Sequence, residues 1–246
     1  MRVIFWWVYI CLIVVLFSLF YEMSYARNER VDDFVEAKRL MRVVYDDVRR
    51  TFYCGAKYDG DGVIIDYNGY ESDRYEKRSR RIEWEHVVPA ENFGRNFVEW
   101  REGSFACVSR SGERYRGRKC AERVSYEYRL MQADMHNLVP AIGSVNAMRS
   151  NYNFQMVGEY GERLGMCDFR VVDRKVQPPE GVRGFIARVY KYMDYEYDKY
   201  EMSDQQRQLM NAWDEMYPVS SWECLRNERI AKIQGNYNEF VSRKCK

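Results

Sequence analysis

Six cysteines that follow an apolar leader constrain this chain more than any other feature of its sequence. In the leader, Arg2 gives a short positive start, and the run from Val3 to Phe20 is apolar apart from Ser18. Ser24-Tyr25-Ala26 then places small residues at the positions a signal peptidase reads, so residues 1–26 are expected to be a signal peptide cleaved after Ala26. The run is also long enough to approach a bilayer span, which keeps an uncleaved membrane anchor as the alternative. In both cases residues 27–246 face a compartment outside the cytoplasm, periplasmic or extracellular. Cys11 belongs to the leader, and Cys54, Cys107, Cys120, Cys167, Cys224 and Cys245 remain. An even set in an exported chain points to disulfides, with several connectivities open. Two local pairings are geometrically simple: Cys107 with Cys120 across a loop, and Cys224 with Cys245 at the C-terminus. Cys54 and Cys167 are then left for each other. No C-x-x-C pair occurs, which argues against a zinc ribbon or a thioredoxin-like motif.

The hydrophobic pattern predicts an α+β chain, mostly helical and folded as a single domain. Phe34, Ala37, Leu40, Met41, Val44, Tyr45 and Val48 recur at helical spacing and predict an amphipathic helix over about Val31 to Thr51. Val63-Ile64-Ile65 reads as a short buried strand, and Arg81 to His86 as an alternating strand closed by Pro89. The stretch from Asn92 to Arg123 reads as irregular and basic. Helices are expected over Val124 to Asp134 and Ile142 to Asn151, and the chain after Pro178-Pro179 reads as helical to its end. There, Phe185 to Tyr200 forms one helix, whose tyrosines read as core. Ser203 with Gln206, and Ser220 with Glu223, are capping-box patterns that open two more. Strands confined to the middle and flanked by helices favour one α+β domain.

The formal net charge of +2 does not by itself announce a nucleic-acid partner, and Arg2 and Glu22 cancel within the leader. Its distribution says more. Between positions 110 and 123, Arg110, Arg114, Arg116, Arg118, Lys119 and Arg123 face only Glu113 and Glu122. Such a glycine-containing basic loop can meet phosphates, although a solvated surface loop has the same composition.

Both histidines sit in polar clusters, His86 after Glu83-Trp84-Glu85 and His136 within Asp134-Met135-His136-Asn137-Leu138. Each adjoins an oxygen donor that suits a hard cation, the Glu85 carboxylate and the Asn137 amide. An imidazole near its ordinary pKa is mostly neutral at physiological pH and can take a proton from water. The segments Glu83-Trp84-Glu85-His86-Val87-Val88-Pro89-Ala90 and Asp134-Met135-His136-Asn137-Leu138-Val139-Pro140-Ala141-Ile142-Gly143-Ser144-Val145-Asn146 resemble the two signatures of the bacterial endonuclease I family. Gly117-Arg118-Lys119-Cys120, Arg149-Ser150-Asn151, Asn211-Ala212-Trp213, Trp222-Glu223-Cys224 and Glu228-Arg229-Ile230-Ala231 extend the resemblance over essentially the whole chain beyond the leader.

The resemblance implies a ββα-metal (His-Me finger) nuclease core and a magnesium-dependent hydrolysis of DNA with little sequence preference. Manganese or calcium would be able to replace magnesium in binding. It implies His86 as general base, Glu85 and Asn137 as metal ligands, and Arg118 as the group that holds the phosphate. His136 is expected to orient the metal shell or to satisfy a buried hydrogen bond, Arg149, Asn146 and Asn151 to brace the fold or touch the phosphate backbone, and Glu83 to be structural. Products would carry 5′-phosphate and 3′-hydroxyl ends. The protein is expected to be a monomer without an organic cofactor, and the sequence does not separate DNA from RNA. Activity is expected to fall below about pH 6 as His86 takes a proton. Two features depart from the family pattern: Cys54-Gly55-Ala56 lacks the second cysteine many members carry, and Gly103 to Arg116 is longer than in the shortest members. Two rivals are a catalytically silent exported protein that captures DNA and a zinc hydrolase. Intact Glu85, His86 and Asn137 argue against the first. Two histidines without a third suitable ligand argue against the second.

Overall fold

The computed structural model describes residues 27–245, so the leader and its expected cleavage point lie outside the described residues. Helix α1 (Phe34–Val44) starts where Asp33 accepts a hydrogen bond from the Glu36 amide, and it buries Ala37, Met41 and Val44. It stops seven residues short of the predicted end. Asp46 and Asp47 follow, and carboxylates oppose the partial negative charge of a helix C-terminus. They pair instead with Arg49 and Arg229.

Strands β1 (Lys57–Tyr58) and β2 (Ile64–Asp66) form a small antiparallel ribbon, followed by the one-turn helix α2 (Glu76–Ser79). Strand β3 (Ile82–His86) then runs antiparallel to β4 (Leu138–Ile142), with Glu85 opposite Val139 and His86 opposite Leu138. Between them lie α3 (Ala90–Gly94), α4 (Val98–Arg101), α5 (Arg118–Val124) and α6 (Tyr126–Ala133). The expectation of an irregular stretch from Asn92 to Arg123 therefore gives way in part to short helices. β4 was hidden in the sequence by Pro140, which cannot donate to a ladder. A two-stranded sheet tolerates it, and the Pro140 carbonyl accepts a 2.7 Å hydrogen bond from the Phe52 amide.

Helix α7 (Gly143–Arg149) follows β4 directly and completes a β3-β4-α7 unit. Gly143 is required at its start. A Cβ there would lie 2.4 Å from the Arg78 carbonyl oxygen and 2.8 Å from Glu83 Oε1. Beyond it, β5 (Asn153–Phe154), β6 (Arg170–Val172) and β7 (Lys175–Gln177) make a three-stranded sheet with β7 in the centre. Helices α8 (Arg183–Glu196), α9 (Asp204–Met216), α10 (Ser221–Gln234) and α11 (Glu239–Ser242) complete the described chain, with Ser203 and Ser220 capping α9 and α10 as their sequence predicts.

The β3-β4 pair lies between two apolar clusters. Val139, Ala141 and Ile142 join the larger one with Phe93, Tyr128 and Tyr190, whereas Leu138 joins Val31, Met41 and Ile230 in the smaller. Buried arginines fasten the helices to this unit. Arg226 of α10 donates from Nη2 to the carbonyls of Met135 (2.8 Å) and Leu138 (2.7 Å) at the entry to β4. Arg188 of α8 binds Glu223 through two hydrogen bonds and Asp214 through a third, joining α8, α9 and α10. Disulfides link Cys107 to Cys120 and Cys224 to Cys245, the two local pairings read as simple from the sequence, and Cys54 to Cys167, the pair they leave over. Such bonds persist in oxidising compartments outside the cytoplasm. No helix among the described residues is long and apolar enough to cross a membrane.

Candidate active site

Neighbours on a strand point to opposite faces, so Glu85 and His86 share a site only where the strand ends. β3 ends at His86, and the chain bends through Val87 and Val88. On one side, His86 Nε2 lies 2.8 Å from the Gln132 carbonyl oxygen. That oxygen only accepts, so Nε2 carries the hydrogen and the lone pair sits on Nδ1. The Phe34 ring stacks on the imidazole at 4.9 Å. Burial, with the Arg118 charge nearby, lowers the His86 pKa to about 3. The expectation that His86 protonates near pH 6 is therefore corrected, because a desolvated imidazole beside a guanidinium stays neutral well below that pH.

Glu85 faces the other side. The Tyr53 hydroxyl donates to its Oε1 at 3.2 Å, and Arg149 Nη1 approaches the same oxygen at 3.2 Å. Burial raises the Glu85 pKa to about 7, outweighing the opposite effects of Arg149 and Tyr53. Arg149, only 1% exposed, also donates to the carbonyls of His86 (2.9 Å) and Val87. One guanidinium from the end of α7 thus holds both the carboxylate and the bent backbone next to the imidazole.

A cleft of about 370 Å³ opens over this strand end, and Glu85, His86, Arg118, Asn146, Arg149 and Asn151 are among its walls. Asn137 is not on it. Its side chain is fully buried, with Nδ2 donating to the Val88 carbonyl at 3.0 Å and Oδ1 accepting from the Val88 amide at 2.7 Å. The metal-ligand role expected for Asn137 is corrected on that ground: both amide atoms are committed to backbone, and neither faces the cleft.

Asn146, and not Asn137, is on the cleft wall. Its Nδ2 donates to Glu83 Oε2 at 2.7 Å, which leaves the amide oxygen for the cleft. Glu83 is held in turn by Arg78, so it braces the fold as its sequence context suggested. The sequence does carry a signal for Asn146: it stands three residues before Arg149 on a predicted helix, a spacing that places both on one face. His136 is buried away from the cleft, with Nε2 3.0 Å from the Asn236 carbonyl and its pKa lowered by burial to about 4. It braces the turn before β4. Asn151 Nδ2 donates to Glu91 Oε2 at 2.5 Å on the cleft wall.

The endonuclease I family model matches residues 37–245. The chain belongs to the endonuclease I family. An extracellular deoxyribonuclease of Aeromonas hydrophila is 43% identical over 221 residues, covering 86% of this chain and 90% of the relative. A periplasmic deoxyribonuclease of the same organism is 41% identical over 226 residues, 88% of each chain. Endonuclease-1 of Buchnera aphidicola subsp. Acyrthosiphon pisum is 34% identical over 228 residues, 90% of this chain and 85% of its own.

For a member of the endonuclease I family the donor set of the cleft is informative. Glu85 Oε2 and Asn146 Oδ1 are hard oxygens, the type that magnesium takes in ones and twos while keeping several waters. No group of three or more His, Cys, Asp and Glu suited to holding a metal occurs among the described residues, so the closed nitrogen and sulfur cage that zinc favours is absent there. The residues present therefore fit a hard divalent cation. Arg118, exposed at the start of α5 with Nε 3.4 Å from the Tyr128 hydroxyl, adds a planar cation to the cleft lining.

Proposed function

We propose that this endonuclease I chain is an exported nuclease that hydrolyses internal phosphodiester bonds of DNA, with magnesium held by Glu85 and Asn146 in a ββα-metal centre built from β3, β4 and α7. The observation that carries the reading is the fixed His86 tautomer: its Nε2 hydrogen is held by the Gln132 carbonyl, and its Nδ1 lone pair is left beside two hard oxygens and Arg118 in one cleft. The names of the relatives, deoxyribonucleases outside the cytoplasm, favour DNA as substrate and export as destination.

His86 Nδ1 accepts a proton from a water aligned behind the scissile phosphorus. The water oxygen forms the new P–O bond as the bond to the 3′ oxygen breaks, and the departing oxygen takes a proton from solvent, leaving 5′-phosphate and 3′-hydroxyl ends. Arg118 grips non-bridging phosphate oxygens, a contact that suits its bidentate geometry. A depressed pKa makes His86 a weak base in the free protein. Burial is the larger cause of that depression, and a bound phosphate acts only against the smaller one by neutralising the Arg118 charge. Arg149 acts through position, keeping the carboxylate and the imidazole in register. A bound cation would neutralise phosphate charge and stabilise the departing oxygen.

Plasmid nicking with magnesium and with chelator, run beside gel retardation, tests the reading. His86→Ala should lower the cleavage rate by about a hundredfold or more while DNA binding persists. Near-normal cleavage by that variant, or equal cleavage in chelator, would refute it.

A further inference from the structure

Most surface arginines of this protein have an acidic neighbour. Arg39 pairs with Glu36, Arg49 with Asp46, Arg95 with Glu91, Arg207 with Asp194 and Arg229 with Asp47. Arg42, Arg50, Arg74, Arg81 and Arg174 are exposed among the described residues without an ion pair within 4.0 Å, and one stretch gathers six such cations together. Among the described residues, Arg110, Arg114, Arg116, Arg118, Lys119 and Arg123 form no ion pair within 4.0 Å, although all six are exposed. The two acids of the same stretch turn to neutral donors, Glu113 to the Ser111 hydroxyl and Glu122 to Gln132 Nε2. Glu99 of α4 and Glu102 at its end line a hollow with Arg114, but neither comes within 4.0 Å of it as an ion pair, and Glu102 lies 3.9 Å from Arg101 instead.

These cations are carried on a built element, not a loose loop. Residues 103–117 fold as a finger closed by the Cys107–Cys120 disulfide. Val108 bridges Arg114, the Ser109 amide bonds the Glu113 carbonyl at 2.8 Å, and the Tyr115 amide bonds the Cys107 carbonyl at 2.9 Å. Its far end is tied to the cleft: the Gly117 amide donates to the Trp100 carbonyl at 3.0 Å, and Trp100 and Arg118 both line the cleft wall. Phe105 is 87% exposed on the finger, with the Arg114 guanidinium 5.1 Å from its ring centre. Unneutralised charge on a rigid support is the arrangement that receives an external polyanion with little ordering cost.

We propose that residues 103–117 are an outer clamp that holds phosphates of duplex DNA flanking the one in the cleft, with Arg110 and Arg114 as the two principal contacts. The proposal rests on the nuclease reading above and extends it from a single scissile phosphate to a footprint along the duplex.

The test uses the oxidised protein without its leader and the double variant Arg110→Ala/Arg114→Ala, neither residue belonging to the catalytic set. Affinity for a short blunt duplex is measured in chelator across a salt series. Each phosphate contact contributes about 0.9 to the slope of log affinity against log salt, so the variant slope should be shallower by about 1.8. Affinity at about 0.15 M salt should fall about 30-fold. Magnesium-dependent hydrolysis of a small chromogenic phosphodiester, too short to reach the finger, should be unchanged, as should the melting temperature. Equal affinity and equal slope in parent and variant would overturn the clamp. So would a matching loss on the small substrate, or a loss confined to anionic vesicles with DNA binding intact. A parent that neither cuts nor retains DNA overturns the nuclease reading itself, and that result differs from all of these.

Discussion

Asn137 and Asn146 stand nine positions apart and separate two kinds of damage. Replacing Asn137 by alanine removes both hydrogen bonds to Val88 and leaves a buried amide and a buried carbonyl without partners. Each orphaned group costs about 1–3 kcal/mol, so the variant should lose about 2–6 kcal/mol of stability. For a domain of this size each kcal/mol moves the melting temperature by roughly 2–4 °C, which predicts a fall of roughly 4–24 °C. Asn146→Ala loses a single hydrogen bond to Glu83, which Arg78 continues to hold, so its cost should stay near about 1 kcal/mol. Magnesium binding should be affected in the opposite order. Asn146→Ala should weaken it by at least about tenfold, whereas Asn137→Ala below its melting temperature should bind nearly as the parent does. Melting by circular dichroism and magnesium titration by calorimetry give both numbers on the same samples. A stable Asn137→Ala variant that no longer binds magnesium, beside an Asn146→Ala variant that binds it normally, would refute this assignment.

Two pH effects follow from the same buried groups. The folded Glu85 pKa is raised to about 7 without metal, so binding a cation must displace a proton below that pH. Apparent magnesium affinity should therefore weaken by about tenfold per pH unit from pH 7 towards 5, and an affinity independent of pH in that range would exclude Glu85 as ligand. His136 has its folded pKa lowered to about 4, so the unfolded chain binds its proton more readily between about pH 6.5 and 4. The stability it contributes is complete above the unfolded pKa and is lost as pH falls towards the folded one. In chelator, His136→Gln should reduce the slope of unfolding free energy against pH by about 1.4 kcal/mol per unit between pH 6 and 4.5. Denaturant melts at several pH values measure it, and an unchanged slope would refute the argument.

Local chemistry made much of the fold legible. The caps at Ser203 and Ser220 depend on hydrogen bonds three residues away, and both helices begin where those residues stand. β3 was readable because Ile82 and Trp84 alternate with Glu83 and Glu85. β4 was not, since Pro140 masks it and its five buried residues show no alternation. The sheet of β5, β6 and β7 also escaped notice, as its strands have two or three residues each. At the site, the Glu85-His86 pair, Arg118 and Arg149 could be picked out from residue type and motif. Asn137 and Asn146 lie in one signature and carry the same amide, so only the helical spacing of Asn146 to Arg149 distinguishes them, and that Asn137 turns to the Val88 backbone is visible only in the fold.

The sequence by itself determined the capped starts of two C-terminal helices and the adjacency of a carboxylate to an imidazole, and it suggested the two local cysteine pairings, all properties that depend on residues near one another in the chain. Only the tertiary structure decided which asparagine faces the cleft, which His86 nitrogen holds the lone pair and how far burial moves its pKa. Those outcomes depend on the Val88 backbone, the Gln132 carbonyl and the Arg118 charge. Antiparallel pairing of β3 with β4 and the packing of α5 and α6 bring these groups to one place from distant parts of the chain, and hydrogen bonding and desolvation act over distances in space.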